Sequence, residues 1–253
     1  FGGRTGICFN GVDTFSATNN FIHDFSASRF GLLDDGKEQD SFGIQAKEGS
    51  KNGRIAGNRI VDLKTEEPNR SMRFVQTDGI NCIGSADIVI ENNYIENVGE
   101  GIDLGHSENI TVRNNTCKNT ALFGLKVIHG TKNSLVENNI FERSGWSGIT
   151  CSGTAANNGV TEKNIFRNNV VIDTGLNDTF AATNTNGKVA VIVEGEYCKN
   201  NTFTKNKIRE TNYTAITIYG FYEKRGAEKN IFIENLVDRH IPYPFSVTDP
   251  NAS

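Results

Sequence analysis

Apolar and polar residues alternate in short runs along this chain, and one kind of run recurs. It is roughly a small residue, an apolar residue, a variable residue and another apolar residue. It occurs as Gly31-Leu-Leu-Asp, Gly79-Ile-Asn-Cys, Gly101-Ile-Asp-Leu, Gly124-Leu-Lys-Val, Gly148-Ile-Thr-Cys, Ala190-Val-Ile-Val and Ala215-Ile-Thr-Ile. Residues two apart in a β-strand face the same side of its sheet. The runs therefore predict strands with two stacks of buried side chains: Ile80, Ile102, Leu125, Ile149, Val191 and Ile216, and beside them Cys82, Leu104, Val127, Cys151, Val193 and Ile218.

A second recurring phrase is an Asn, often doubled, followed by apolar residues. Its last Asn falls at positions 20, 58, 93, 115, 139, 169, 206 and 235, at intervals of 38, 35, 22, 24, 30, 37 and 29 residues. A shortest interval of 22 with irregular additions is typical of a solenoid whose coils carry loops of different length. Asn suits the bends, because it tolerates the left-handed conformation and its amide can hydrogen-bond the Asn of the next coil.

A third set of short strands precedes the Asn phrases, beginning at Ile88, Ile110, Leu135, Ile165 and Ile231. Three strands per repeat predict an all-β fold, a right-handed parallel β-helix of about eight coils that forms one domain over residues 1–253. A β-sandwich is disfavoured because its hairpin turns would not recur with the same Asn chemistry. The chain begins directly within a repeat and solenoids need caps, so we expect it to be a fragment of a longer protein.

Composition supports a β-protein rich in turns and excludes several classes of function. Gly is abundant at 26 residues, Pro is scarce at 4, and 16 Phe residues are available for a core. With a net charge of −4 and scattered cations, the chain has no basic stripe for nucleic acid, and no apolar run is long enough for membrane insertion. Five cysteines without Cys-x-x-Cys spacing argue against a disulfide framework or a zinc site. We therefore expect most of the thiols to be buried and the protein to fold in a reducing compartment.

The coil pattern from Gly6 to Phe245 resembles the pectate-lyase-like superfamily of right-handed β-helices. That group includes pectate lyases, polygalacturonases, alginate epimerases and lyases, and bacteriophage tailspikes. The resemblance implies a polysaccharide substrate and either an extracellular location or, for a tailspike, a homotrimer in the virion tail. Gln76-Thr77-Asp78-Gly79-Ile80 is similar to the polygalacturonase motif Asn-Thr-Asp-Gly-Ile, and Glu100 matches the last aspartate of their Gly-Asp-Asp-Cys-Ile. Gly99 and Phe123 replace a further aspartate and a histidine of that family.

Asp78 and Glu100 are the candidate catalytic residues. Strict alternation would turn both side chains inward, where burial of an unpaired carboxylate is energetically unfavourable. We therefore infer that each following glycine marks a corner of the coil and that the carboxylate lies at the opening of this corner. Adjacent coils are about 4.8 Å apart, close to the ~5 Å separation of the two carboxylates in retaining glycosidases. Such proximity would split their pKa values and give one acid and one base. The alternative is a pair of turn-capping carboxylates that accept backbone N–H bonds.

Candidate substrate-binding residues lie around this pair. Asn81, Asp103 and Lys126 fall in one outward column. Asp103 and Lys126 form either a solvated surface ion pair or a groove wall, where Lys126 meets a sugar carboxylate or acts as a base. His106 and His129 follow the same strand in successive coils. They could supply a general base for β-elimination, or they are turn residues at the surface.

Aromatic residues and loops provide the remaining candidates. Trp146 is either a surface ring that stacks on sugars or a core residue, and Tyr219 and Tyr222 suit a sugar or a subunit contact. We expect no cofactor, with calcium as the exception if the protein is a lyase. The acidic residues that could bind calcium, or form a solvated turn, are Asp34, Asp35, Glu38 and Asp40.

Three functional hypotheses follow. The first is a tailspike-like polysaccharide depolymerase that hydrolyses glycosidic bonds at Asp78 and Glu100. The second is a secreted polyuronate lyase or epimerase that uses Lys126 and a histidine. The third is a non-catalytic β-helix that serves as an adhesin or a structural shaft.

Overall fold

The computed structural model describes residues 5–24, 26–27, 40–65, 77–153, 159–175, 189–209, 214–219, 227–238 and 243–248. Every regular element in these residues is a β-strand, and the strands pair in parallel. Three long sheets run along the molecule, and the chain visits them in the same order in each coil. The described part of the chain contains no helix of the length and apolarity that crossing a bilayer requires. The predicted right-handed parallel β-helix is confirmed.

Sheet A has nine strands, one more than the predicted number of coils, because its last strand begins a ninth coil. Its strands are β1 (Thr5–Asn10), β5 (Ser41–Lys47), β9 (Thr77–Ile83), β12 (Glu100–Gly105), β15 (Phe123–Ile128), β18 (Ser147–Ser152), β22 (Val189–Glu194), β26 (Thr214–Tyr219) and β29 (Tyr243–Thr248).

Sheets B and C have eight strands each. Sheet B comprises β2 (Asp13–Thr18), β6 (Lys51–Ala56), β10 (Ala86–Glu91), β13 (Thr111–Arg113), β16 (Leu135–Glu137), β20 (Ile165–Arg167), β24 (Thr202–Thr204) and β27 (Ile231–Ile233). Sheet C comprises β3 (Phe21–His23), β7 (Arg59–Val61), β11 (Tyr94–Glu96), β14 (Thr116–Lys118), β17 (Ile140–Glu142), β21 (Val170–Ile172), β25 (Lys207–Arg209) and β28 (Leu236–Val237). Two short pairs complete the set, β4 (Ser26–Ala27) with β8 (Lys64–Thr65) and β19 (Thr161–Glu162) with β23 (Cys198–Lys199).

The core consists of the stacks that alternation predicts. Ile80, Ile102, Leu125, Ile149, Val191 and Ile216 are register partners along sheet A and are all buried. Cys82, Leu104, Val127, Cys151 and Val193 form the second buried stack, which continues in register to Ile218. The assignment of Gly31 falls outside the described residues. The first two strands of the sheet contain Gly6 and Gly43 instead, in phrases of the same pattern that the sequence interpretation missed.

In the Asn phrase, one residue forms the left-handed bend and its neighbour forms the side-chain ladder. The first position adopts the left-handed conformation, as at Asn138, where φ is 56°. The second position is buried and forms the predicted ladder, in which Asn115 Nδ2 donates to Asn139 Oδ1 over 3.0 Å and Asn139 Nδ2 donates to Asn169 Oδ1 over 3.0 Å. A second ladder that sequence reasoning did not anticipate joins Asn164, Asn201 and Asn230 before sheet B.

Candidate active site

The outward orientation of Asp78 depends on the glycine that follows it. A Cβ added to Gly79 would lie 2.5 Å from Ile95 Cγ2 and 2.8 Å from the Gly101 carbonyl oxygen, so this position faces inward against sheet C. Ile80 faces inward as well, and two consecutive inward positions place Asp78 on the same side as Asn81. Asn81 Nδ2 donates to Asp78 Oδ2 over 2.9 Å. The glycine therefore breaks the alternation, as predicted, but it lies within β9 and the prediction that it marks a corner is wrong.

Glycine has the same role in the adjacent coil. A Cβ on Gly101 would overlap the Gly124 carbonyl oxygen and the Cys117 side chain. Glu100 therefore shares the outward side with Asp103, and Lys126 contacts both. Close approach of the backbone to sheet C is the reason that glycine precedes the apolar residue in these strands.

Asp78 and Glu100 are register partners on β9 and β12. Both are more deeply enclosed than a mouth at a corner implies, with exposed fractions of 0% and 4%. Oxygen atoms of Asp78, Glu100 and Asp103 lie within 4.8 Å of one another. Among the described residues no backbone N–H donates to either member of the pair, so the contacts that a turn-capping role requires are not seen there.

Lys126 lies between two of these carboxylates. Its Nζ atom is 2.5 Å from Glu100 Oε2 and 3.1 Å from Asp103 Oδ2. The Lys126 side chain is 9% exposed and that of Asp103 is 1% exposed. The interpretation of Asp103 and Lys126 as a solvated surface ion pair is therefore wrong, because the pair is buried. Three carboxylates and one ammonium group leave the cluster with excess negative charge.

Burial and this excess charge change the pKa values of the cluster. Burial raises the pKa of Asp78 well above its usual value, and the charges of Glu100 and Asp103 add to the effect. Burial also raises the pKa of Glu100 to about 7, against the opposing attraction of Lys126. For Lys126, burial disfavours the charge, yet Asp103 and Glu100 outweigh it and the pKa is raised. The site thus combines one carboxyl group whose pKa is raised well above its usual value with another whose pKa is about 7, a combination suited to acid–base catalysis.

Hydrogen bonds extend the cluster toward the second coil. Gln45 Nε2 donates to Asn81 Oδ1 over 3.2 Å, and Asn81 in turn holds Asp78. Gln45 is the residue of this cluster that sequence reasoning missed. Its signal was present, since Gln45 occupies the outward position after Gly43 and pairs with Asn81 in the register of β5 and β9.

His106 and His129 lie side by side after β12 and β15. Their rings stack with centroids 5.7 Å apart, as predicted from their positions in successive coils. His106 is exposed and His129 is half-buried. Burial lowers the pKa of His129, with Asp103 opposing and Lys126 reinforcing the shift, and this favours the neutral ring that a general base needs.

Phe123 and Trp146 lie beside the cluster on the next two coils. Their rings stack with centroids 5.2 Å apart, and Lys126 Nζ is 5.6 Å from the centre of the Phe123 ring. Both are partly exposed, and Trp146 also packs against Val189 and Ile192. Trp146 therefore combines the two alternatives of the sequence interpretation, one part packed and one part accessible.

Several predicted site residues lie outside the described part of the chain. Tyr219 ends β26, but its side chain lies outside the described residues, as do Tyr222 and all of the acidic run except Asp40. Carboxylates are the ligands that Ca²⁺ prefers, and Asp78, Glu100 and Asp103 supply three. However, the Lys126 ammonium group contacts two of them, so a calcium ion could bind only by displacing it.

Comparisons with solved structures give the same fold. An alginate lyase from Paenibacillus sp. str. FPU-7 aligns with a TM-score of 0.58 and 16% identity over 97% of this chain and 78% of the lyase. A family 28 exopolygalacturonase from Yersinia enterocolitica aligns with a TM-score of 0.59 and 17% identity over 85% of this chain and 39% of that enzyme. A DFA-IIIase from Arthrobacter chlorophenolicus A6 aligns with a TM-score of 0.52 and 13% identity over 95% of this chain and 50% of its own.

Sequence comparison gives the family. No curated protein sequence matches the chain. The family model described as "Right handed beta helix region" matches residues 2–141 and, in a second overlapping match, residues 69–249. Since the two matches together span nearly the whole chain and agree with its three parallel sheets, the protein belongs to the right-handed β-helix family.

Proposed function

We propose that the protein is a polysaccharide-cleaving hydrolase whose catalytic residues are Asp78 and Glu100. The observation that carries the proposal is the pairing of these two carboxyl groups across adjacent strands, one with its pKa raised well above the usual value and the other with its pKa raised to about 7. Their oxygens lie within 4.8 Å. Inverting glycosidases need about 6.5–9.5 Å to accommodate a water molecule, so the short separation favours a retaining mechanism.

The chemistry proceeds in two steps. First, an ionised carboxylate oxygen attacks the anomeric carbon, the glycosidic C–O bond breaks, and the protonated carboxyl group gives its proton to the leaving oxygen. Second, the carboxylate formed from that acid removes a proton from water. The water oxygen then attacks the anomeric carbon and releases the first carboxylate. Asn81 holds Asp78 during both steps, and Asp103 shares Lys126 with Glu100.

A polysaccharide substrate is supported by the fold family and by the aromatic surface next to the carboxyl pair. The alginate lyase and the exopolygalacturonase, by their names, act on polysaccharides. Phe123 and Trp146 offer partly exposed rings on which a sugar can stack. We place the protein outside the cell or in a phage tail. A location in a phage tail implies a homotrimer, and sedimentation equilibrium would measure this oligomeric state.

The test is incubation with bacterial capsule, O-antigen, pectin and alginate, followed by measurement of new reducing ends. Asp78→Asn and Glu100→Gln should each lower the rate by about 10²–10⁴-fold. Asp87→Asn is the matched control, because Asp87 is an exposed aspartate in a left-handed conformation that Asn accepts. Full activity in both site variants would exclude this site. Sugar binding without any cleavage would support the adhesin.

A polyuronate lyase is the second candidate, favoured by the neutral His129 ring beside the cluster. Elimination leaves an unsaturated sugar that absorbs in the ultraviolet, whereas hydrolysis leaves no such product. Loss of activity in His129→Ala together with this absorbance would select the lyase. Loss of activity on calcium chelation would then show that the lyase uses the metal.

A further inference from the structure

We infer that Lys126 is a positioning residue that assigns different roles to the two carboxyl groups. It favours the ionised form of Glu100, the attacking carboxylate, and leaves Asp78 as the proton donor. The inference deepens the proposed function and rests on it. It also revises the prediction that Lys126 itself contacts a sugar carboxylate or acts as the base.

The ion pairs of the cluster distinguish its carboxyl groups. The Lys126 ammonium group contacts Glu100 at 2.5 Å and Asp103 at 3.1 Å. Among the described residues, Asp78 has no ion pair at this distance, and its hydrogen-bond donor is the neutral amide of Asn81. An ionised carboxylate buried without a paired charge is strongly disfavoured. Of the two carboxyl groups, Asp78 is therefore the one that holds its proton more firmly.

The position of that proton also follows from the contacts. Asn81 Nδ2 donates to Asp78 Oδ2, so Oδ2 is an acceptor. Oδ1 is buried and accepts no hydrogen bond from the described residues. A protonated carboxyl group has one O–H donor, and Oδ1 is the oxygen that can carry it without competing with the Asn81 amide. This O–H has no acceptor among the described residues, so a leaving-group oxygen that enters the cluster would receive this proton.

The charges around the two groups support the same assignment. Asp78 is influenced by Glu100, Asp103 and Lys126, two negative charges and one positive. Glu100 is influenced by Lys126, Asp103 and Asp40. The essential difference is direct contact with the ammonium group, because an opposite charge favours the ionised form of the group it contacts.

The test is a ¹³C NMR titration of the Asp and Glu side-chain carboxyl carbons in the free protein. In the unaltered protein we expect Asp78 to remain protonated through neutral pH and Glu100 to titrate near 7. Lys126→Met should raise the pKa of Glu100, whereas Asp103→Asn should lower it, because it removes a competing negative charge. Lys118→Met is the matched control, since Lys118 pairs with Glu142 on sheet C and should leave Glu100 unchanged.

Three results would overturn the inference: an ionised Asp78 at neutral pH, a Glu100 pKa that Lys126→Met leaves unchanged or lowers, or a Glu100 pKa that Asp103→Asn leaves unchanged or raises. If Lys126→Met does not fold, the titrations of Asp78 and Glu100 in the unaltered protein and in Asp103→Asn still test the inference. No sugar is needed, so failure of the proposed hydrolysis is a separate result. Once a cleaved substrate is known, kinetics give a second test. At pH values below the raised pKa of Glu100, Lys126→Met should lower kcat about tenfold per pH unit and leave KM within about twofold. A lysine that binds the sugar directly would instead change KM.

Discussion

The Asn ladder predicts a large loss of stability from one small substitution, Asn139→Ala. Asn139 is fully buried and makes four hydrogen bonds through its amide. Its Oδ1 accepts from the backbone N of Asn115 over 2.9 Å and from Asn115 Nδ2 over 3.0 Å. Its Nδ2 donates to the Val112 carbonyl over 2.9 Å and to Asn169 Oδ1 over 3.0 Å. Alanine removes all four and leaves their partners buried.

The expected cost follows from these contacts. A hydrogen bond in a protein contributes about 1 kcal/mol net, and each buried group left without a partner costs about 1–3 kcal/mol. Some partners keep a second bond, as Asn115 Nδ2 does with the Ile90 carbonyl. We therefore expect the free energy of unfolding to fall by about 3–5 kcal/mol, at the upper end of the range for single substitutions.

The assay is urea unfolding followed by circular dichroism, with Asn138→Gly as the matched control. Asn138 is exposed and left-handed with a φ of 56°, which glycine adopts freely, so its replacement should change stability by only a few tenths of a kcal/mol. A loss below about 1 kcal/mol for Asn139→Ala would refute the assignment of stability to the ladder. An equal loss of stability for Asn138→Gly would show that the turn residue contributes as much to stability as the ladder residue.

Further predictions concern the inward glycine, the buried carboxyl group and the thiols. Gly79→Ala should destabilise the protein by about 1–3 kcal/mol in the same unfolding assay, because its Cβ would lie 2.5 Å from Ile95, whereas Gly105→Ala, with 3.6 Å to its nearest neighbour, should be tolerated. Equal effects of the two would contradict the close-approach argument. The pKa of Glu100 is raised from 4.5 to about 7 by burial, so the folded state binds its proton more tightly. Stability should therefore fall as pH rises through that window, by up to about 1.4 kcal/mol per pH unit, and Glu100→Gln should reduce the slope; an unchanged slope would count against the shift. Alkylation of the native protein, read by mass spectrometry, should modify the exposed Cys8 and spare Cys82, Cys117, Cys151 and Cys198. Rapid labelling of these four would contradict the buried-thiol prediction.

The repetitive features of the fold were predictable because each is written in local sequence. The alternation at Ile80 and Cys82 gave the buried stacks, and the recurring Asn gave the coil and its ladder. Gly43 was missed because Gly31 offered a similar phrase nearby, and local pattern alone does not choose between two such phrases. Pairing with neighbouring strands makes the choice, since Ile44 is the partner of Ile80 on β9.

The sequence predicted where the candidate site lies, but it did not predict which side chains are in contact there. Register placed Asp78, Glu100, Asp103 and Lys126 in one patch, because strands of a parallel sheet keep the same alignment from coil to coil. The contact between Lys126 and Glu100 was not foreseen. It joins a residue at the start of one strand to one at the middle of the next, and it depends on the direction of a long side chain.

Local sequence patterns were enough to predict the β-helix, its buried stacks, its Asn turns and the set of residues that face outward from sheet A. The tertiary structure alone decided that these outward groups are buried, that Lys126 is shared by Glu100 and Asp103, and that Asp78 depends on the Asn81 amide. Periodicity is set by the geometry of each strand and is visible in one dimension. The charge state of a carboxyl group is set by its exposure to water and by the groups that other coils bring within a few ångströms, and these exist only in the folded chain.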